Sequence, residues 1–126
     1  MNLSSSRHDF WQALEALLQK PSSLVIDRPR GFRHPRFTDF VYPFDYGYLE
    51  GTTSADGEGL DVWLGAAASG KALADCRVSG VIASVDLDKR DAELKLLLDC
   101  TADEMAQIEK IYNRIDCIRG VLIVRE

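Results

Sequence analysis

The amino-acid sequence predicts a mainly β fold with flanking α-helices, in the form of a small closed or partly open barrel. Three observations lead to this fold class. The chain has 126 residues, which is enough for one hydrophobic core. Five or six short segments are rich in β-prone residues, and only two segments carry helical spacing. Short strands with few helices favour a barrel over a parallel sheet, so residues 1–126 are expected to form a single domain.

The two helices are predicted from capping signals and apolar spacing. Ser6 and Asp9 have the spacing of a capping box, and Pro21 ends the first run. The apolar residues of this N-terminal helix share one face: Phe10, Leu14, Leu17 and Leu18. A second capping box, Thr101 with Glu104, opens the C-terminal helix. Its apolar face consists of Met105, Ile108, Ile111 and Ile115.

The strand candidates are short runs of β-branched, aromatic and leucine residues between polar turns. They cover residues 24–26, 41–48, 60–64, 77–85, 93–98 and 121–124. The chain shows no internal repeat and no linker-like segment between them. The strands are therefore expected to build one core that the two helices cover.

Composition and charge argue against several classes of protein. The 15 basic and 20 acidic residues give a net charge of −5, so the basic surface typical of nucleic-acid binding is missing. The apolar runs are too short to cross a bilayer. The first residues lack the apolar region of a signal peptide, and a cytoplasmic location is expected. Three widely spaced cysteines without a C-x-x-C pair argue against a disulfide framework and against a zinc site.

A cluster of carboxylates lies in the segment 56–61. Asp56, Glu58 and Asp61 stand within six residues, and Gly57 and Gly59 let the backbone turn so that the side chains can converge. Three close carboxylates repel one another unless a cation neutralises them, and hard oxygen ligands suit magnesium, manganese or calcium. The alternative is an exposed hairpin turn without a ligand.

A second acidic set and one basic segment complete the pattern. The loop after residue 85 carries Asp86, Asp88 and Asp91. The basic segment holds four arginines: Arg28, Arg30, Arg33 and Arg36. Carboxylates hold metal ions, and metal ions and arginines hold phosphate oxygens, so these sets together indicate phosphate chemistry. A solvated loop and surface arginines are the alternatives for each set taken alone.

Two of these blocks resemble a known family. Residues 42–48 read Tyr-Pro-Phe-Asp-Tyr-Gly-Tyr, and residues 56–62 read Asp-Gly-Glu-Gly-Leu-Asp-Val. They are similar to the central block of the soluble (family I) inorganic pyrophosphatases, Tyr-Pro-x-Asn-Tyr-Gly-Tyr followed by Asp-x-Asp-Pro-x-Asp-Val. The similarity continues through residues 80–82 to Asp86 and Asp91. The resemblance implies a five-stranded OB-like barrel with flanking helices.

The resemblance also implies roles for individual residues. The metal ligands would be Asp27, Asp56, Asp61, Asp86 and Asp91. Glu58 would help to deprotonate the attacking water, next to Asp61. Tyr46 and Tyr112 would contact phosphate oxygens. Arg28, Arg30, Arg36 and Arg114 are the candidates for the remaining phosphate-binding charge. The implied reaction is the hydrolysis of pyrophosphate to two phosphates by a metal-bound hydroxide, with Mg²⁺ as cofactor, Mn²⁺ as an alternative, and a homo-oligomer as the expected state.

Three of the departures from the family pattern bear on the implied chemistry. Glu58 stands in place of an aspartate, and Glu93 and Asn113 stand in place of lysines that bind phosphate. An arginine from the segment 28–36, or Arg114, is expected to pair with Glu93 and to restore the lost charge. Two alternative functions stay open: hydrolysis of another phosphoanhydride, and a non-catalytic relative that binds phosphate or metal.

Overall fold

The computed structural model describes residues 3–54 and 57–126, with side chains from Ser6 onward. The described residues form two α-helices and six β-strands. In order these are α1 (Leu3–Ala16), β1 (Ser23–Arg28), β2 (Asp45–Glu50), β3 (Leu60–Leu64), β4 (Val78–Asp86), β5 (Asp91–Leu98), α2 (Ala102–Tyr112) and β6 (Ile118–Val124). Two short 3₁₀ turns, Ala66–Ala68 and Leu73–Asp75, connect β3 to β4. The fold is therefore mainly β with helices at its faces, as the sequence predicts.

The six strands form one sheet in the order β1-β2-β3-β5-β4-β6. Neighbouring strands pair antiparallel except β3 and β5, which are parallel. The predicted five-stranded OB-like barrel is not confirmed, because the described residues form an open sheet of six strands with β1 and β6 at its edges. The edge of β6 is already bonded to side chains: Glu109 accepts from the Leu122 amide, and Asn113 bonds both Gly120 main-chain groups.

The helices cover opposite faces of this sheet. One hydrophobic core contains Trp11, Leu14 and Leu18 of the first helical segment, against strand residues such as Val62 and Leu96. The other core joins α2 to an aromatic group on the opposite face: Phe40, Tyr42, Tyr46, Trp63 and Tyr112. Successive strand residues point to opposite faces, which explains why Val62 and Trp63 belong to different cores.

The two predicted capping boxes have different outcomes. The one at α2 is confirmed: the Thr101 side chain accepts from the Glu104 amide, and the Glu104 side chain accepts from the Thr101 amide. The one at α1 is wrong, because the helix begins at Leu3 and Ser6 lies inside it. The helical face is also shifted, since Trp11 is buried while Phe10 is 43 % exposed. In the part of the chain that the structure describes, no helix is long and apolar enough to span a membrane.

Strands β1 and β2 approach closely at Gly47. A Cβ atom at this position would lie 1.9 Å from the main-chain oxygen of Val25, far inside van der Waals contact. Glycine therefore lets β1 pair with β2 at this point while Tyr46 and Tyr48, on either side, point to the other face.

Candidate active site

The strand register brings polar side chains from four strands to the sheet face that α2 covers. Directly opposite residues of an antiparallel pair lie on the same face. The pairs that matter here are Tyr48 with Asp61, Asp86 with Asp91, Ser84 with Glu93, and Ile82 with Lys95. The parallel pairing of β3 with β5 then places the Asp61 pair beside the Lys95 pair. Residues that are far apart in the sequence thus meet at one place.

The polar side chains of these pairs line a cavity of about 750 Å³. Its carboxylates are Asp27, Glu58, Asp61, Asp86, Asp91 and Glu93. Its cationic side chains are Arg28, Arg36, Lys89 and Lys95. Six carboxylates against four cations leave a formal excess of two negative charges among the described lining residues. An anion such as a phosphate ester or anhydride can bind among these carboxylates only when further cations accompany it.

The turn that carries Glu58 depends on its neighbouring glycine. Gly57 has φ of 84°, in the left-handed region that glycine adopts without steric cost. Glu58 is exposed on the cavity wall, and Asp61 follows on β3 with its side chain about a quarter exposed, at 27 %. Glu58 and Asp61 therefore both face the cavity. Asp56, the other carboxylate predicted in this segment, lies outside the described residues.

Lys95 is the charged group at the floor of the cavity. Its residue is 7 % exposed, and Nζ donates to three oxygens: Tyr46 Oη, Asp61 Oδ2 and Glu93 Oε2, each at 2.9 Å. Burial alone disfavours the ammonium, but Tyr112, Tyr46, Asp61 and Glu93 together raise the pKa of Lys95 well above its ordinary value. The lysine is therefore charged throughout the physiological range.

The sequence predicts an arginine as the partner of Glu93, and the structure shows a lysine beside it, with Lys95 Nζ 2.9 Å from Glu93 Oε2. The two residues are two apart on β5, so their side chains leave the same face of the strand. The resemblance implies a lysine at position 93, where this chain has Glu93. Lys95, the next residue on the same face of β5, supplies a positive charge in its place. Sequence reasoning overlooked this lysine, although a single Lys inside the apolar run 94–98 is a recognisable signal for a buried, paired cation.

The two tyrosines predicted to contact phosphate both reach the cavity. Tyr46 Oη accepts from Lys95, and Tyr112 Oη accepts from Trp63 Nε1 at 3.0 Å. Burial raises the pKa of Tyr46 well above its ordinary value and raises that of Tyr112 to about 12. Both hydroxyls therefore stay protonated and can donate a hydrogen bond to an anionic oxygen.

The predicted arginines separate into two groups. Arg28 and Arg36 line the cavity. Arg28 donates a hydrogen bond to the Tyr42 hydroxyl. The guanidinium nitrogens of Arg36 lie 3.2 Å from Asp86 Oδ2 and 3.2 Å from Asp88 Oδ2. The structure does not bring Arg30 and Arg114 to this cavity. Arg30 is exposed and uses its main-chain amide to bond Asp45, and Arg114 lines a separate cavity of about 450 Å³ near the end of α2.

Asn113, one of the two positions where the family pattern has a lysine, serves the sheet edge. Its Oδ1 accepts from the Gly120 amide at 3.0 Å, and its Nδ2 donates to the Gly120 carbonyl at 2.9 Å. Nδ2 also donates to the carbonyl of Glu109 at 2.9 Å. Position 113 therefore joins the end of α2 to β6 in this chain.

His34 also lines the cavity, above the aromatic group. Its Nδ1 accepts from the amides of Arg36 and Phe37, and its ring stacks on Tyr42 with 9° between the planes. Burial, followed by the charge of nearby cations such as Arg28 and Arg36, lowers the pKa of His34 to about 4. The neutral imidazole thus holds the arginine-rich segment in place.

The donor chemistry of the cavity fits a hard divalent cation. Asp27, Asp61, Asp86 and Asp91, four of the five predicted metal ligands, all line it, and carboxylate oxygens are the ligands that Mg²⁺ prefers. Within residues 3–54 and 57–126, no three His, Cys, Asp or Glu side chains are grouped closely enough to hold a metal ion. Asp61 and Asp86 are instead bonded to Lys95 and Arg36.

A comparison with family models identifies the family of the chain. A family model for inorganic pyrophosphatase matches residues 20–122. An inorganic pyrophosphatase structure from Helicobacter pylori has a TM-score of 0.52 at 15 % identity, over 80 % of this chain and 81 % of that chain. A structure of an inorganic phosphatase from Anaplasma phagocytophilum has a TM-score of 0.49 at 15 % identity, over 84 % and 85 % of the two chains. A comparison with curated proteins finds no match.

Proposed function

Because the chain belongs to the inorganic pyrophosphatase family and is therefore a hydrolase, we propose that its cavity hydrolyses inorganic pyrophosphate to two phosphates with Mg²⁺ as cofactor. One observation carries this proposal: six carboxylates and four cationic side chains converge on a single cavity. A cavity with excess negative charge needs added cations before it can bind a multiply charged anion. Carboxylates at these positions give Mg²⁺ a place to bind.

The carboxylates divide into metal ligands and a base in this proposal. Asp61, Asp86 and Asp91 would hold Mg²⁺, together with Asp27 and with Asp56. A bound divalent ion polarises phosphate oxygens and makes water more acidic. Glu58 would accept the proton of the attacking water, since it lies on the cavity wall in the same segment as Asp61.

The phosphate oxygens would be held by donors that the cavity already orients. Tyr46 and Tyr112 keep their hydroxyl protons and can donate to the anion. Arg28, fixed against Tyr42, and Arg36, at the edge of the acidic loop, would supply positive charge. Arg30 and Arg114 would need a rearrangement to take part, because neither lines the cavity.

The test is phosphate release from pyrophosphate, with and without Mg²⁺, for the wild type and two matched variants. Glu58→Gln should lower turnover by about 10²–10⁴-fold, the usual scale for a lost general base. Glu50→Gln is the control, because it makes the same substitution at an exposed residue at the end of β2 that does not line the cavity. Equal turnover of the Glu58 variant and the wild type would place the base elsewhere.

The substrate is tested in the same assay. Pyrophosphate, a nucleoside triphosphate and linear polyphosphate are compared at equal concentration. Faster release from a nucleotide or polyphosphate than from pyrophosphate would favour hydrolysis of another phosphoanhydride. Absence of release from all three by folded wild-type protein with Mg²⁺ would favour a non-catalytic relative.

A further inference from the structure

Lys95 has the environment of a bound cation. Three oxygen atoms surround its nitrogen at the same distance of 2.9 Å: Tyr46 Oη, Asp61 Oδ2 and Glu93 Oε2. Two of the three oxygens carry negative charge, and the side chains of Asp61 and Glu93 are themselves only 27 % and 16 % exposed. Such a pair of partly buried carboxylates requires a cation between them.

The three bonds also use the full donor capacity of the ammonium. A lysine has three N–H donors and no acceptor. All three are accounted for by Tyr46, Asp61 and Glu93, so Lys95 reaches a phosphate oxygen only by giving up one of these partners. Its position in the cavity wall therefore favours the role of an internal counter-ion over that of a phosphate ligand.

We propose that the ammonium of Lys95 is a built-in counter-ion that occupies a divalent-cation position between Asp61, Glu93 and Tyr46. The three oxygens would need to move inward by about 0.9 Å to reach the usual Mg²⁺–oxygen distance of about 2.0–2.1 Å. That displacement is small for side chains at the wall of an open cavity. Removal of the lysine thus creates a site with two carboxylates and one hydroxyl for Mg²⁺.

This proposal rests on one part of the proposed function, namely that the cavity accepts divalent metal ions. Its test uses no pyrophosphate. The experiment counts Mg²⁺ ions bound per chain by isothermal titration calorimetry, in the absence of any phosphate. Lys95→Met should bind one more Mg²⁺ than the wild type. Lys95→Arg, which keeps the positive charge, should bind the same number as the wild type.

Lys89→Met is the matched control for net charge. Lys89 lines the same cavity but is exposed, so its removal makes the same charge change without opening an enclosed position among oxygens. An additional Mg²⁺ in the Lys95→Met protein alone supports the counter-ion role. An unchanged number in Lys95→Met, or an equal gain in the Lys89→Met protein, overturns it.

Folding of Lys95→Met is monitored separately, because this variant lacks the positive charge between two partly buried carboxylates. If this variant is unfolded without metal, titration with Mg²⁺ followed by circular dichroism becomes the measurement. Refolding by Mg²⁺ supports the proposal. Failure of Mg²⁺ to refold it, under conditions where Lys95→Arg is folded, overturns it. Neither result depends on whether the wild type hydrolyses pyrophosphate, so the two proposals can fail separately.

Discussion

Restoring the family lysine at position 113 should destabilise the protein without making it a better enzyme. Asn113 bonds both the amide and the carbonyl of Gly120, and a lysine cannot accept from the amide. The Gly120 amide loses its acceptor outright, and an exposed ammonium exchanges the carbonyls of Gly120 and Glu109 for water. A loss equivalent to one or two hydrogen bonds at about 0.5–1.5 kcal/mol each gives about 1–2 kcal/mol. For a chain of this length, 1 kcal/mol corresponds to roughly 4 °C in the melting temperature.

The assay is thermal unfolding of Asn113→Lys followed by circular dichroism, with turnover measured on the same preparation. We expect a melting temperature about 4–8 °C below that of the wild type. Gln107→Lys is the matched control, because it replaces another amide by lysine on an exposed position of the same helix. The control should melt within about 2 °C of the wild type, as surface substitutions usually do.

Two results would refute this reasoning about Asn113. If Asn113→Lys has the same melting temperature as the wild type, the hydrogen bonds to Gly120 do not hold the end of α2 against β6. If its turnover per folded molecule rises well above that of the wild type, position 113 reaches the substrate in spite of its contacts. A loss of stability in Gln107→Lys as large as in Asn113→Lys would instead assign the effect to the added charge.

Two further predictions concern Tyr112 and His34, which both line the cavity. Tyr112→Phe removes the acceptor of the buried Trp63 Nε1 and should lower the free energy of unfolding by about 1–3 kcal/mol, measured by urea denaturation. The pKa of His34 is about 4 when folded against 6.5 ordinarily, so below pH 6.5 the unfolded chain binds a proton that the folded chain does not. The free energy of unfolding should therefore decrease as the pH falls from about 6.5 towards 4, and His34→Gln should show a smaller decrease over that range; equal slopes would contradict the assignment.

The strands could be predicted from the sequence because their apolar runs are local. All six candidate runs overlap a strand of the sheet, including the short run 24–26 in β1. Closure of the sheet could not be predicted in this way, since it depends on what binds each edge. The side chains of Glu109 and Asn113 form hydrogen bonds with the main chain of the edge strand β6, and their local sequence does not indicate that contact.

The candidate site shows the same division between local and distant information. Carboxylates at turns and strand ends indicated the cavity, and Glu58, Asp61, Asp86 and Asp91 all line it. The sequence predicts an arginine beside Glu93, because the arginines form the conspicuous basic segment. Strand periodicity alone would have placed Lys95 on the same face as Glu93, but only the register of β3 with β5 shows that Asp61 joins them.

The parallel pairing of β3 with β5 has a consequence for the order in which the cavity's charges come together during folding. Lys95 and Glu93 are two positions apart on one strand, whereas Lys95 and Asp61 are 34 positions apart and meet only when β3 docks beside β5. Contacts between distant segments form late because loop closure costs entropy. We therefore expect that Lys95 and Glu93 already neutralise each other when Asp61 approaches. Strand β3 would then add its carboxylate to a pair of side chains with no net charge.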